Sequence, residues 1–289
     1  VAKPLRVVFD SNVFTPDGFD ILDNSHMRQR CKERYIIPVY GSTFLEETYK
    51  AYKIKGKRED LVKRWMPFIA DTVERYCTDY LTIWHRELVQ GRGVHADIYM
   101  TRQDQAKLSQ RFRNIPLDGS WPAWVRAQPQ ITVEEAKRAA QHETSRDVRE
   151  EFSRWRKRTG YNTKKHGVVK FGQYAAGERD FAGRAFLIAN VKCVRPHAVA
   201  DRWAKYWWMY PYFTSFVNNM LYIAHHAMIK NNDKIDLNAQ ADLDVMTHLL
   251  RADALVSNEK GFLKTAFDDL WRPKKKILFT TEQFCNYLE

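Results

Sequence analysis

Residues 5–14 read Leu-Arg-Val-Val-Phe-Asp-Ser-Asn-Val-Phe. A short apolar, β-branched run predicts a buried strand. It ends at Asp10, and Ser11 and Asn12 follow as turn formers. An acid at the carboxyl end of a buried strand stands where open α/β sheets place their ligands. The plainer reading is that Asp10 caps the next helix. The rest of the chain decides between them.

The chain has 289 residues, enough for one large domain or for a domain with a big insertion. Apolar residues make up 44%, so a packed core is within reach and wholesale disorder is not expected. The formal charge of +12 favours a polyanionic partner, nucleic acid first and an anionic membrane surface second. Cys31, Cys77, Cys193 and Cys285 stand far apart, with no CxxC pair and no zinc spacing. They read as reduced thiols of a cytoplasmic protein. The chain opens straight into a strand, without the regions of a signal peptide. The aromatic stretch Trp207 to Met228 carries Asn218, Asn219, His225 and His226, and Pro211 interrupts it. Those polar groups argue for a buried helix starting near Pro211 and against a membrane span.

After Asp10 the pattern predicts a short polar helix reaching Glu33, then a second strand at Tyr35–Val39 that Pro38 ends. Ser42 is read as the N-cap of a helix through Phe44, Leu45, Thr48, Tyr49 and Tyr52. Leu61 to Tyr80 is read as helical throughout. Between Trp84 and Tyr206 the chain is rich in Arg and Lys and shows no strand–helix alternation. Residues 117–129 are read as a loop, 133–158 as a charged helix and 159–177, with four glycines, as irregular. The α/β pattern returns with helices after Pro211 and through Leu243 to Leu250. A strand at Ala254–Val256, a helix at Gly261–Trp271, a strand at Lys276–Phe279 and a closing helix at Thr281–Leu288 follow. The expected architecture is a central parallel sheet flanked by helices, built from residues 1–83 and 207–289. Residues 84–206 form a basic, mainly helical insertion.

Four acids follow predicted strands or sit on adjoining helices: Asp10, Glu47, Asp242 and Glu259. Strand ends of a parallel sheet share one edge, so acids from distant segments can converge there. Clustered carboxylates raise one another's pKa, and a hard divalent cation removes that penalty. The histidines lack ligand spacing and are read as structural. The segment Arg146 to Lys170 holds Arg154, Arg156, Lys157, Arg158, Lys164 and Lys165 with Trp155 and Tyr161 between them. It suits phosphate contact and base stacking, against the plain alternative of a solvated charged helix. Trp203, Trp207 and Trp208 are read as core or interface packing rather than a stacking platform. No GxxxxGK and no GxGxxG occurs, so a nucleotide-driven motor and a dinucleotide oxidoreductase are unsupported.

The order of these motifs resembles the PIN-domain nucleases. D-S-N-V-F at 10–14 is similar to their opening motif, and F-L-E-E-T at 44–48 to their second-acid helix. The stretch from Asp242 to Phe262 is similar to their late run of Asp, helix, alanine–aspartate pair, short strand, Ser or Thr, and final acid. The resemblance covers about residues 5–80 and 211–288. It implies that Asp10, Glu47 and Asp242 hold one or two Mg²⁺ or Mn²⁺ ions. Glu259 takes the fourth place, where the family usually has Asp. Asn12 and Ser257 are implied as polar supports. Glu46 competes with Glu47, and Asp244 with Asp242. The implied activity is endonucleolytic hydrolysis of a phosphodiester by a metal-activated water, in single-stranded or structured RNA. Rival readings are a non-catalytic RNA-binding protein on a degenerate fold and a nuclease acting on DNA. By family analogy a homodimer and an antitoxin-like protein are further partners, although the chain is longer than such toxins usually are.

Overall fold

The computed structural model describes residues 3–51, 55–118, 150, 153, 156–157, 160, 170–229 and 239–289. These divide into two compact units. The α/β unit comprises the described residues up to Asp79, from Ile98 to Asp118, and His248–Glu289. The helical unit comprises Tyr80–Asp97 and the described residues from 150 to Thr247. The division therefore falls at other points than 83/84 and 206/207. The helices Pro211–Ile229 and Ala239–Thr247 cluster with the middle of the chain.

The α/β unit carries a five-stranded, all-parallel sheet flanked by helices. Its strands are β1 (Leu5–Phe9), β2 (Ile36–Tyr40), β3 (Arg75–Tyr76), β4 (Ala254–Val256) and β5 (Ile277–Phe279), in the spatial order β3-β2-β1-β4-β5. The chain builds outward from β1 through β2 to β3, then returns to pair β4 with the other side of β1, Val7 opposite Ala254. Alternation sends Val7, Phe9, Ile36, Tyr40, Ala254 and Val256 into one core. Phe19 and Leu22 of helix Pro16–Asp23, Phe44 of helix Ser42–Lys50 and Phe68 of helix Met66–Thr72 pack there too. The crossover from β4 to β5 runs the opposite way along the sheet. Right-handedness therefore puts helix Phe262–Leu270, with buried Leu263, Ala266 and Phe267, on the other face.

Three local expectations are corrected. Pro38 lies in the middle of β2, not at its end. Leu5 donates to the carbonyl of Tyr35, and Cys77 donates to that of Tyr40, so even-numbered residues of β2 turn away from β1. Pairing with β3 begins only at Val39, so the missing N–H of Pro38 faces a level where β2 has no neighbour. Second, Gly41 rather than Ser42 is the N-cap residue of helix Ser42–Lys50. A Cβ on Gly41 would lie 2.3 Å from Nε2 of buried His248. Third, the stretch from Leu61 is helical only to Thr72, and Arg75–Tyr76 is β3.

In the helical unit, helix Pro211–Ile229 starts where the proline places it. The carboxylate of buried Glu87 accepts the backbone N–H of Tyr212 at 2.9 Å and of Phe213 at 3.0 Å. Helix Phe171–Asn190 runs through Gly172, Gly177 and Gly183, where irregular chain was expected as far as Gly177. Gly183 makes room for the Trp203 ring, which a Cβ would meet at 1.9 Å. The charged stretch 133–158 and the loop 117–129 lie mostly outside the described residues; Leu117 and Asp118 still belong to helix Arg102–Asp118. Among the described residues, no helix is long and apolar enough to cross a membrane.

Candidate functional site

The direction in which successive strands are added to the sheet reverses between β1 and β4, which pair in parallel. In open α/β sheets this switch point opens a crevice at the carboxyl ends of the strands, where ligands bind. Asp10 follows β1 there and Ser257 follows β4, and both are buried. The backbone N–H of Asp10 donates to Val256 across that seam, at 3.0 Å. The capping reading of Asp10 is realised only weakly. Its Oδ1 receives the N–H of Asn12 at 3.5 Å, at the head of the short 3-10 turn Ser11–Val13. The stronger partner is across the sheet: Ser257 Oγ donates to Asp10 Oδ2 at 2.7 Å.

A polar network spreads from this bond. Ser257 Oγ accepts from Asn12 Nδ2 and from the N–H of Glu259, both at 3.1 Å. Asn12 Oδ1 accepts the N–H of Asn258 at 3.1 Å. Asn258 in turn bonds Thr281 twice, Nδ2 donating to Oγ1 at 2.9 Å and Oδ1 accepting the N–H at 3.0 Å. The loops after β1, β4 and β5 are thereby held as one piece. Asn258 and Thr281 escaped the sequence reading. The available signal was the repetition of Ser-Asn close behind β1 and β4, at 11–12 and 257–258.

Glu47 reaches the same edge from helix Ser42–Lys50, where its Oε2 accepts from Ser11 Oγ at 3.0 Å. Its neighbour Glu46 is buried on the same helix. Glu259 is half-buried, and its Oε1 accepts the N–H of Leu263 at 3.4 Å. Burial pushes the Asp10 carboxyl up to about 6, with the Ser257 hydroxyl opposing and the charges of Glu47 and Glu259 adding to the rise. The fold thus brings together Asp10, Glu47, Glu259, Asn12 and Ser257. Asp242 and Asp244 are buried on helix Ala239–Thr247 of the helical unit, where Asp244 Oδ1 accepts from Gln240 Nε2 at 2.8 Å. Arg156 and Lys157 are exposed, whereas Arg154, Arg158, Lys164 and Lys165 lie outside the described residues.

The donor set at the edge is carboxylate oxygen alone, which suits a hard divalent ion and not zinc or a soft metal. Among the described residues, no group of three or more His, Cys, Asp or Glu side chains is placed to hold a metal ion. The fit is to an ion that keeps much of its water and takes one or two protein carboxylates, as Mg²⁺ does. No family model, no curated protein and no solved structure matches the chain.

Proposed function

We propose that this chain is a metal-dependent nuclease of the PIN-like type that hydrolyses phosphodiester bonds in RNA. The observation that carries the reading is Asp10. It is a carboxylate with 4% of its surface exposed, at the switch point of a parallel sheet, with two further carboxylates raising its pKa. A protein gains nothing in stability from such a placement. A cation bound there relieves it.

Asp10 and Glu47 would hold a Mg²⁺ or Mn²⁺ ion, with Glu259 assisting through bound water. When bound, the ion supplies an activated water and stabilises the charge of a phosphoryl transition state. The chain's own groups set that stage. Ser257 orients Asp10 through Oδ2, Ser11 orients Glu47, and Asn12 with Asn258 fixes both loops. Asp242, carried by the helical unit, stays an expectation of the sequence resemblance and takes no part in this proposal. The net charge of +12 and the exposed Lys260 next to Glu259 suit a polyanionic substrate.

The test is cleavage of end-labelled single-stranded RNA by the purified chain in Mn²⁺ or Mg²⁺, with a DNA oligonucleotide of the same sequence in parallel. Cleavage that EDTA and Asp10→Asn both abolish supports the reading. RNA left intact by the native chain in both ions overturns it, and cleavage of the DNA alone reassigns the substrate.

A further inference from the structure

In the helical unit the chain turns sharply between helix Pro196–Lys205 and helix Pro211–Ile229. The turn displays four large side chains in a row. Tyr206, Trp207, Trp208 and Met209 are 40, 38, 55 and 42% exposed. Of the tryptophans expected in core or interface packing, Trp203 is fully buried in the core, whereas Trp207 and Trp208 are exposed.

Exposure here does not come from a loose backbone. The turn is a 3-10 segment, Trp207–Met209, in which Met209 N–H donates to Tyr206 at 2.9 Å and Tyr210 N–H to Trp207 at 3.1 Å. Thr214 Oγ1 donates to the Trp207 carbonyl at 2.7 Å and receives Trp203 Nε1 at 3.0 Å. Glu87 clamps the start of the next helix. Below, Gly93 adopts φ +51°, and a Cβ on it would come within 2.8 Å of the Met209 carbonyl. A rigid floor therefore holds up an aromatic surface that water contacts. Contiguous exposed apolar surface of this kind marks an interaction site.

The cations around the rings select the partner. The Arg179 guanidinium lies 4.2 Å from the centre of Trp207, and the Lys205 ammonium 5.1 Å from that of Tyr206. Arg179 is oriented by a neutral partner, Asn218 Oδ1 at 3.0 Å, and neither cation has an ion pair among the described residues. Trp208 meets Tyr206 and Trp207 at 82° and 84°, so the three rings are not consumed by stacking on one another. Cations interleaved with rings fit a chain that offers both phosphates and flat faces.

We propose that the turn Tyr206–Met209, with Arg179 and Lys205, is a stacking platform for single-stranded nucleic acid. The choice of a nucleic acid rests in part on the nuclease reading, but the test needs no cleavage. Binding of a fluorescein-labelled U12 oligonucleotide is followed by anisotropy in EDTA, using the full chain. Replacing Trp207 and Trp208 by Ala should weaken binding roughly 5- to 150-fold, the worth of about one stacked base. Trp208→Phe, which keeps a ring, should bind within about threefold of the native chain, on the sequence tolerance of stacking. Thermal melting reports whether each variant is folded. Affinity unchanged in the folded double variant overturns the proposal. If that variant does not fold, weaker binding by folded Arg179→Gln supports the platform, and unchanged binding overturns it. Equal binding of a duplex, with equal loss in the variants, also overturns it. So does a Trp emission shift on vesicles of phosphatidylcholine and phosphatidylserine with no response to U12, which reassigns the surface to membrane. Loss of RNA cleavage on Asp10→Asn with U12 affinity intact leaves this proposal standing. An intact platform in a chain that never cleaves removes only the nuclease reading.

Discussion

Asp10 and Glu87 are both buried acids, one in each unit, and their surroundings differ in kind. Glu87 receives two backbone N–H groups at the start of a helix, at 2.9 and 3.0 Å. Its charge meets the partial positive charge of a helix N-terminus and satisfies donors that would otherwise be orphaned. Asp10 receives one hydroxyl and one long amide contact, and faces two more carboxylates. The first arrangement is what a fold needs from a buried acid. The second, on the proposed reading, leaves a charge for a cation to complete. On the nuclease reading proposed above, the contrast is between a structural carboxylate and a functional one.

The largest effect should fall on catalysis. Asp10→Asn is expected to lower RNA cleavage at least about a hundredfold while the chain still melts cooperatively, because a carboxamide is a poor ligand for a hard cation. Gel assays with thermal melting measure both, and an active Asp10→Asn would place Asp10 with Glu87 among structural acids. Glu87→Ala should do the converse. Two charge-assisted hydrogen bonds are lost and two N–H groups are stranded, a cost on the order of 3 kcal/mol in urea unfolding. A change under about 0.5 kcal/mol would erase the distinction.

The third effect is in pH. The folded Asp10 carboxyl titrates near 6 against 3.8 unfolded, so its burial costs nothing below about 3.8. The cost grows as pH rises to about 6 and totals about 3 kcal/mol above that. His248 has the opposite sign: burial lowers its imidazole from 6.5 to about 4. Its cost is absent above pH 6.5 and grows on acidification towards 4. Between about pH 4 and 6 the two slopes oppose each other in the native chain. In EDTA, Asp10→Asn should therefore expose the His248 slope, losing about 3 kcal/mol between pH 6.5 and 4. Urea melts across that range check it; a variant whose profile overlays the native one would count against both assignments. The smallest effect is Ser257→Ala. It should cost about 1 kcal/mol and move the acidic limb of the cleavage profile upward, since the hydroxyl holds Asp10 down.

The central sheet was readable because β1 and β4 are apolar runs closed by polar turns, a pattern that needs no knowledge of neighbours. Pro38 misled because its tolerance depends on how far β3 extends, which is a property of the partner strand. β3 itself is two residues long and carries no periodicity to detect. Gly172 and Gly177 read as breakers, yet both lie inside helix Phe171–Asn190, where a third glycine, Gly183, makes room for Trp203, 20 positions on. At the site, Asp10 and Glu47 were legible from their positions after or beside strands. Asn258 was not, because its role lies in reaching Thr281 and Asn12 from a loop whose course the sequence does not specify. The exposed tryptophans read as packing residues by type, and nothing in their own sequence marks the turn, held by Thr214 and Glu87, on which they are exposed.

The pairing of β1 with β4 carries a consequence for synthesis. The oxygen atoms that meet in the Ser257–Asp10 bond belong to residues 247 positions apart. A nascent chain that has emerged only as far as the helical unit has β1 in hand with one flank bare, and it lacks Ser257, Asn258 and Glu259 altogether. Loop closure over such a span is slow compared with the local contacts of the helices. Acid edge and sheet are therefore completed in the same late event. A ribosome translating this message would meet the finished edge only after the strand that seals it has left the exit tunnel.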